Sequence, residues 1–131
     1  MNDMFLENPS KYGFEETVER LSQNIQEKGW KLISTHDLQE TLKNKGVDVL
    51  PVKVIELCNA KYASRILLED KERFVASMLP CRIAVCEKSD GRTYISRMNA
   101  EMFGGMVGGL VQEVMTGSFM EAEEIVKPLL A

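Results

Sequence analysis

The sequence predicts an α+β fold, a two-layer sandwich with helices packed on one face of a mainly antiparallel four-stranded sheet. Three observations lead there. Two strand-like runs flank Ser89-Asp90-Gly91, a strong hairpin signal; helical segments lie between the other strand-like runs; and one long amphipathic helix precedes them. With 131 residues, 44% hydrophobic and 27% charged, the chain has the size and composition of one globular domain, spanning 1–131, with a single core. It carries no internal repeat, low-complexity tract or domain linker.

Phe14, Val18, Leu21 and Ile25 recur at i, i+4, i+7 and i+11 among Glu15, Glu16, Glu19 and Gln23, which predicts a helix over about 14–28 with Gly29 closing it. Residues 30–35, WKLIST, alternate and favour a strand, after which Asp37 offers a cap for a short helix carrying Leu38 and Leu42. Pro51 has no N–H for a ladder and so marks the entry of a second strand, 52–58. Asn59 is an N-cap for a helix that turns Tyr62, Ile66 and Leu67 inward and ends near Asp70. A charged link and a short helix over 72–78 lead to strands at 81–87 and 92–97, on either side of the hairpin turn. The remainder reads as helix over 106–115 and 119–130, broken near Gly117 with Ser118 as a cap. Within the apolar run 102–111, glycines 104, 105, 108 and 109 either soften a helix start or let helices approach closely, within the chain or across a dimer. A sheet this small leaves two edges and a partly apolar second face, which a homodimer would cover.

Composition excludes several function classes. A net charge of −4, with Lys and Arg scattered singly, gives no attraction to phosphate, so no nucleic-acid partner is expected. The run 102–111 is half the length of a spanning helix, so no membrane span is expected. The opening MNDMFLENPS lacks a basic segment followed by an apolar one, and three widely spaced cysteines do not make a disulfide scaffold; both fit a cytoplasmic location. No CxxC, HExxH, P-loop or GxGxxG spacing occurs, and the sequence does not decide whether the protein is an enzyme.

The chemistry-bearing candidates are cysteines and their neighbours. Alternation groups Val52, Val54, Glu56 and Cys58 on one face of their strand, and places Cys81 and Cys86 on opposite faces of theirs, so the latter two cannot readily share a metal. Cys58 immediately precedes the N-cap Asn59, where the positive end of a helix favours a thiolate; Glu56 opposes that effect, and Arg82 would supply a countercharge if brought near. Each cysteine also suits a plain role as a small buried hydrophobe. His36, the only histidine, sits beside Asp37 and reads as a solvated loop residue, or as a third ligand beside Cys58 and Cys81 if the fold converges them. Whether Cys58 and Cys81 meet depends on topology: antiparallel pairing brings them to one edge, and a parallel crossover separates them.

FEETVERL, the GW before the first strand, VIELCNAKYASRILLED and LPCRIAVCEKSDGRTYI together resemble the domain of unknown function 302 family, over about residues 12–130. The resemblance implies a small soluble protein with an antiparallel sheet, able to pair as a dimer. It implies no reaction, since the family's role is not established. Its motif residues correspond to Cys58, Asn59, Pro80, Cys81 and Arg82, with Ala60 standing where the family usually has proline.

Three functional readings follow. The first is a dimeric binding module for a small ligand or a soft metal, zinc or copper(I), around Glu56, Cys58, Asn59, Cys81 and Arg82. The second is a thiol enzyme for redox or sulfur transfer, with Cys58 attacking and Cys81 resolving. In the third, a structural or interaction dimer, Asn59 caps, Pro80 sets the strand entry and the cysteines pack.

Overall fold

The structure, a computed structural model, describes residues 3–131. The chain runs β1 (Phe5–Pro9), α1 (Phe14–Glu27), β2 (Lys31–Asp37), α2 (Leu38–Lys43), β3 (Val52–Cys58), α3 (Ala60–Leu67), a 3₁₀ segment (Arg73–Met78), β4 (Cys81–Glu87), β5 (Thr93–Met98), α4 (Ala100–Val107), α5 (Gly109–Val126) and a final 3₁₀ turn (Lys127–Leu129). The strands form one antiparallel sheet in the order β1-β5-β4-β3-β2.

Alternation along the central strands sets the layering. Ile55, Leu57, Ile83, Val85 and Ile95 share one face and are buried against Phe14, Leu21 and Ile25 of α1 and Ile125 and Val126 of α5. Burying each such side chain contributes about 1.5–3 kcal/mol, so this layer dominates the fold. A second cluster, Ile66, Val75, Val111, Val114 and Met115, joins α3 and the 3₁₀ segment to α5. The other sheet face carries no helix: Val52, Val54, Ala84, Cys86 and Tyr94 are only half-buried there.

The sheet has five strands, one more than the sequence predicts. Residues 5–9, FLENP, are too short to show alternation and hold Glu7, Asn8 and Pro9, which disfavour strands on their own. Pairing with β5 through Phe5↔Met98 to Pro9↔Tyr94 recruits them, and the proline ends an edge strand where its missing N–H is tolerated.

Local chemistry places the remaining elements as expected. Asp37 Oδ1 accepts from Glu40 N at 3.0 Å and starts α2 directly from β2. In the hairpin, Gly91 takes φ +80°, and Asp90 accepts from Arg92 N and Tyr94 Oη. Among the described residues, no helix is long and apolar enough to cross a membrane.

The C-terminal break lies elsewhere than the sequence predicts. Asn99 caps α4 by accepting from Met102 N at 3.1 Å, so helix begins at Ala100 rather than near residue 106. The chain turns at Gly108 (φ +80°) and Gly109 (φ +58°), and α5 then runs unbroken through Gly117. Gly117 is no breaker. A Cβ there would meet the Tyr62 ring at 3.1 Å, so its missing side chain is the notch that seats α3 on α5. Ser118, read from sequence as a cap, is buried within the helix. Gly104 plays the corresponding part between α4 and α5, where a Cβ would lie 3.0 Å from both Gln112 Cα and Met115 Cβ.

This contrast yields a test in neighbouring positions. Gly104→Ala is expected to destabilise by about 1–3 kcal/mol through overpacking. Gly105→Ala, whose nearest neighbour is a flexible glutamine side chain at 4.0 Å, is expected to stabilise by about 0.5–1 kcal/mol through helix propensity. Urea denaturation of both variants beside the parent reads the two signs directly.

Candidate functional site

Antiparallel pairing resolves where the two cysteines go. Leu57 stands opposite Cys81, so Cys58, the last residue of β3, and Cys81, the first of β4, lie at the same end of neighbouring strands. Asn59 follows with extended backbone, and its side chain accepts from Lys61 N at 3.0 Å to start α3. Ala60, at the first helical position, leaves this cap intact. All three cysteines are free thiols.

Cys81 takes the face of Leu57, beneath the middle of α5. There the sheet and helix do not close fully, and a cavity of about 160 Å³ opens to solvent. Met78, Cys81, Met98, Met115, Phe119 and Ala122 are among the residues that line it, with Ser118 beside the thiol. Burial pushes the Cys81 thiol up from its ordinary pKa; a hydrogen bond with Ser118 pulls it down, and the nearby Cys58 pushes it up again. The thiol is therefore held neutral. It is not an activated nucleophile.

The polar wall of this cavity is an ion pair. Arg97, on the inward face of β5, donates from Nε and Nη2 to the two carboxylate oxygens of Glu123 on α5, each at 2.8 Å. Its Nη1 donates to Asn8 Oδ1 at 2.9 Å and Ile95 O at 3.2 Å, so a buried guanidinium is satisfied by three elements. Sequence reading missed Arg97 and Glu123. The strand alternation that turns Ile95 inward turns Arg97 inward as well, and an inward arginine signals a buried acceptor.

Glu56 and Arg82 lie on the opposite, helix-free face. Glu56 Oε1 is 2.9 Å from His36 Nε2, and Arg82 Nε donates to Glu56 Oε2 at 3.2 Å, joining three adjacent strands. Arg82 therefore pairs with Glu56 across the sheet rather than serving as a countercharge to Cys81. His36 stands in register with Val54, four residues along β3 from Cys58, about 13 Å at the rise of a strand. The candidate residues thus fall into two groups: Cys58, Asn59 and Cys81 at one end of the neighbouring strands β3 and β4, and His36, Glu56 and Arg82 on the open face. Among the described residues, no three His, Cys, Asp or Glu side chains are grouped to hold a metal ion. Cys86 lies on the open face, where burial and then Glu7 push its thiol up.

Hydrogen bonding from His36, and then from Arg82, holds the Glu56 carboxyl below its ordinary value of 4.5. A lowered native pKa adds stability that is present above the unfolded-state value and is lost as pH falls through the native one. Glu56→Gln is accordingly expected to be less stable than the parent at pH 7, with the difference shrinking below about pH 4.5. Urea midpoints at neutral and acidic pH check this; a difference independent of pH would contradict it.

Comparison with known proteins agrees with this architecture. The solved structure of an uncharacterized conserved protein DUF302 from Bacillus stearothermophilus is similar to it, with a TM-score of 0.86 and 25% identity over 96% of this chain and 98% of that one. No curated protein matches the chain. The family described as Domain of unknown function DUF302 matches residues 6–129, nearly the whole sequence, and the chain belongs to that family.

Proposed function

We propose that the protein is a binding module that takes a small, neutral, largely apolar molecule between β4, β5 and α5. The supporting observation is the 160 Å³ cavity itself. A dry cavity of about 150 Å³ lined by aliphatic and aromatic side chains is large enough for a benzene ring. Here Met78, Met98 and Met115 make the walls adaptable, since an unbranched thioether repacks around different shapes. Both arginines on its boundary already have carboxylate partners, Arg97 with Glu123 and Arg82 with Glu56, so a charged ligand would find no free countercharge in them. The neutral Cys81 thiol and the Ser118 hydroxyl offer the ligand a weak polar contact. They suit recognition better than attack by Cys81.

The working unit in this reading is a homodimer in a reducing, cytoplasmic setting, paired through the helix-free sheet face. That face spans about 500 Å² in projection from strand spacing and rise, approaching the roughly 800 Å² of accessible surface per partner in a standard interface. Its charges are matched within each copy, Glu56 with His36 and Arg82, and Glu7 with Lys88, so two copies meet without net repulsion. Sedimentation of the parent should give a dimer, and Val54→Glu, which sets a charge in the middle of the half-buried patch, should shift it to monomer. A monomeric parent would remove this part of the proposal.

Indole, neutral and of suitable size, tests the cavity. Titration followed by amide NMR is expected to shift Cys81, Met98, Ser118 and Phe119, with a Kd on the order of 0.1 mM. Ala122→Leu fills the cavity and should weaken binding at least tenfold, and benzoate should bind more weakly than indole. Absent shifts, or shifts unaffected by Ala122→Leu, would rule the reading out.

A further inference from the structure

Cys58, Cys81 and Met115 border a second space next to the first, enclosed by α3 and α5 and only about 20 Å³ in volume. A space of this size holds one water-sized centre. It is too small for an organic molecule and large enough for a single ion. Two thiols and one thioether lie on its boundary together with the Asn59 amide and the Tyr62 and Ser118 hydroxyls, and there is no imidazole or carboxylate among its lining residues. Zinc is held by four ligands drawn from thiolate, imidazole and carboxylate, and magnesium and calcium seek six or more oxygens, chiefly carboxylate and carbonyl, so two thiols and a thioether without imidazole or carboxylate suit none of them. Thiolate and thioether together select soft cations such as copper(I).

We propose that Cys58, Cys81 and Met115 form a binding site for a soft monovalent cation, copper(I) or silver(I), in three-coordinate sulfur ligation. The site shares Cys81 and Met115 with the larger cavity but does not depend on that cavity's ligand. Binding one ion converts both thiols to thiolates and releases two protons, leaving the centre with one net negative charge. Two features of the fold offset that charge. The first turn of α3, the positive end of the helix dipole, begins directly after Cys58 and Asn59, and the Ser118 hydroxyl lies beside Cys81. Met115, buried at 4% exposure and part of the hydrophobic cluster under α5, supplies a third sulfur without adding charge.

The test uses the whole chain, reduced and free of added chelator, titrated anaerobically with copper(I) buffered by bicinchoninate. One ion per chain is expected, with X-ray absorption at the copper edge reading three sulfur neighbours. Cys58→Ser and Cys81→Ser should each weaken binding by more than ~100-fold, beyond the effect of losing a mere supporting group. Met115→Leu, which conserves volume, should weaken it by about tenfold, while Cys86→Ser on the opposite sheet face should leave it unchanged. Failure of the parent to take copper(I) from bicinchoninate overturns the proposal, as does full binding by either cysteine-to-serine variant. If those variants do not fold, the absorption spectrum of the parent decides, and fewer than three sulfur neighbours overturns it. Indole binding by a parent that takes up no copper would separate failure of this site from failure of the larger cavity.

Discussion

The antiparallel register of β3 on β4 governs every candidate site in the molecule. With Ile55 opposite Ile83 and Leu57 opposite Cys81, the large apolar side chains of both strands fall on the helix-covered face. A slip of one residue would turn that whole set outward and expose the core, so the hydrophobic pattern fixes the register strongly. The same register decides the polar residues. It sends Cys81 beneath α5, brings Cys58 to the same edge, and sets Glu56 opposite Arg82 on the open face. Cys81 beneath α5 and the Glu56–Arg82 pair on the open face are two consequences of a single alignment.

The position of α5 above that sheet is fixed by polar contacts rather than by apolar packing alone. A buried Arg97–Glu123 pair contributes little net stability, because desolvation offsets most of the attraction, but its two parallel hydrogen bonds admit only a narrow range of geometries. On the other flank, Tyr62 lies in the notch at Gly117 and its hydroxyl donates to Glu121 Oε2 at 2.6 Å, one helical turn further on. Trp30 donates to the other oxygen of Glu121 at 3.4 Å, tying the start of β2 to the same point. Held at both flanks, α5 cannot settle further onto the strands between them. There it presents Ser118 and Ala122, small side chains that leave space between the helix and the strands, and the cavity is that space.

Much of this was legible in the sequence where periodicity was strong. The stripe Phe14, Val18, Leu21 and Ile25, the alternation of β3 and β4, the Ser-Asp-Gly hairpin and the Asp37 and Asn59 caps each have a local cause, and each element stands where that cause puts it. What escaped depends on contacts between distant residues. β1 is a strand only because β5 offers it an edge, and nothing in FLENP announces it. Gly117 looks like a helix breaker until Tyr62, 55 residues earlier, is placed against it. The edge formed by Cys58 and Cys81 could be framed from sequence as a question of topology, but its answer needed the strand order. The cavity itself was not legible, because Met78, Met98 and the pair Met115 and Phe119 come from three elements that only the tertiary fold brings together.

The surroundings of Cys81 separate two kinds of thiol chemistry. Attack on a substrate requires a thiolate before the substrate arrives, and thiolates are favoured by cationic neighbours or open access to water. Cys81 has no free cationic neighbour: Arg82 faces away to Glu56, Arg97 is committed to Glu123, and burial is the largest influence on the thiol. Metal ligation reverses the order of events, since the cation arrives first and itself displaces the proton. An apolar shell that hinders ionisation of a free thiol also excludes water that would compete for a soft ion or hydrolyse a weak contact. The burial that makes Cys81 a poor nucleophile is therefore compatible with its serving as a ligand, and equally with its forming the floor of a pocket for an uncharged molecule. Both uses draw on the residues common to the two spaces, Cys81, Met115 and Ser118.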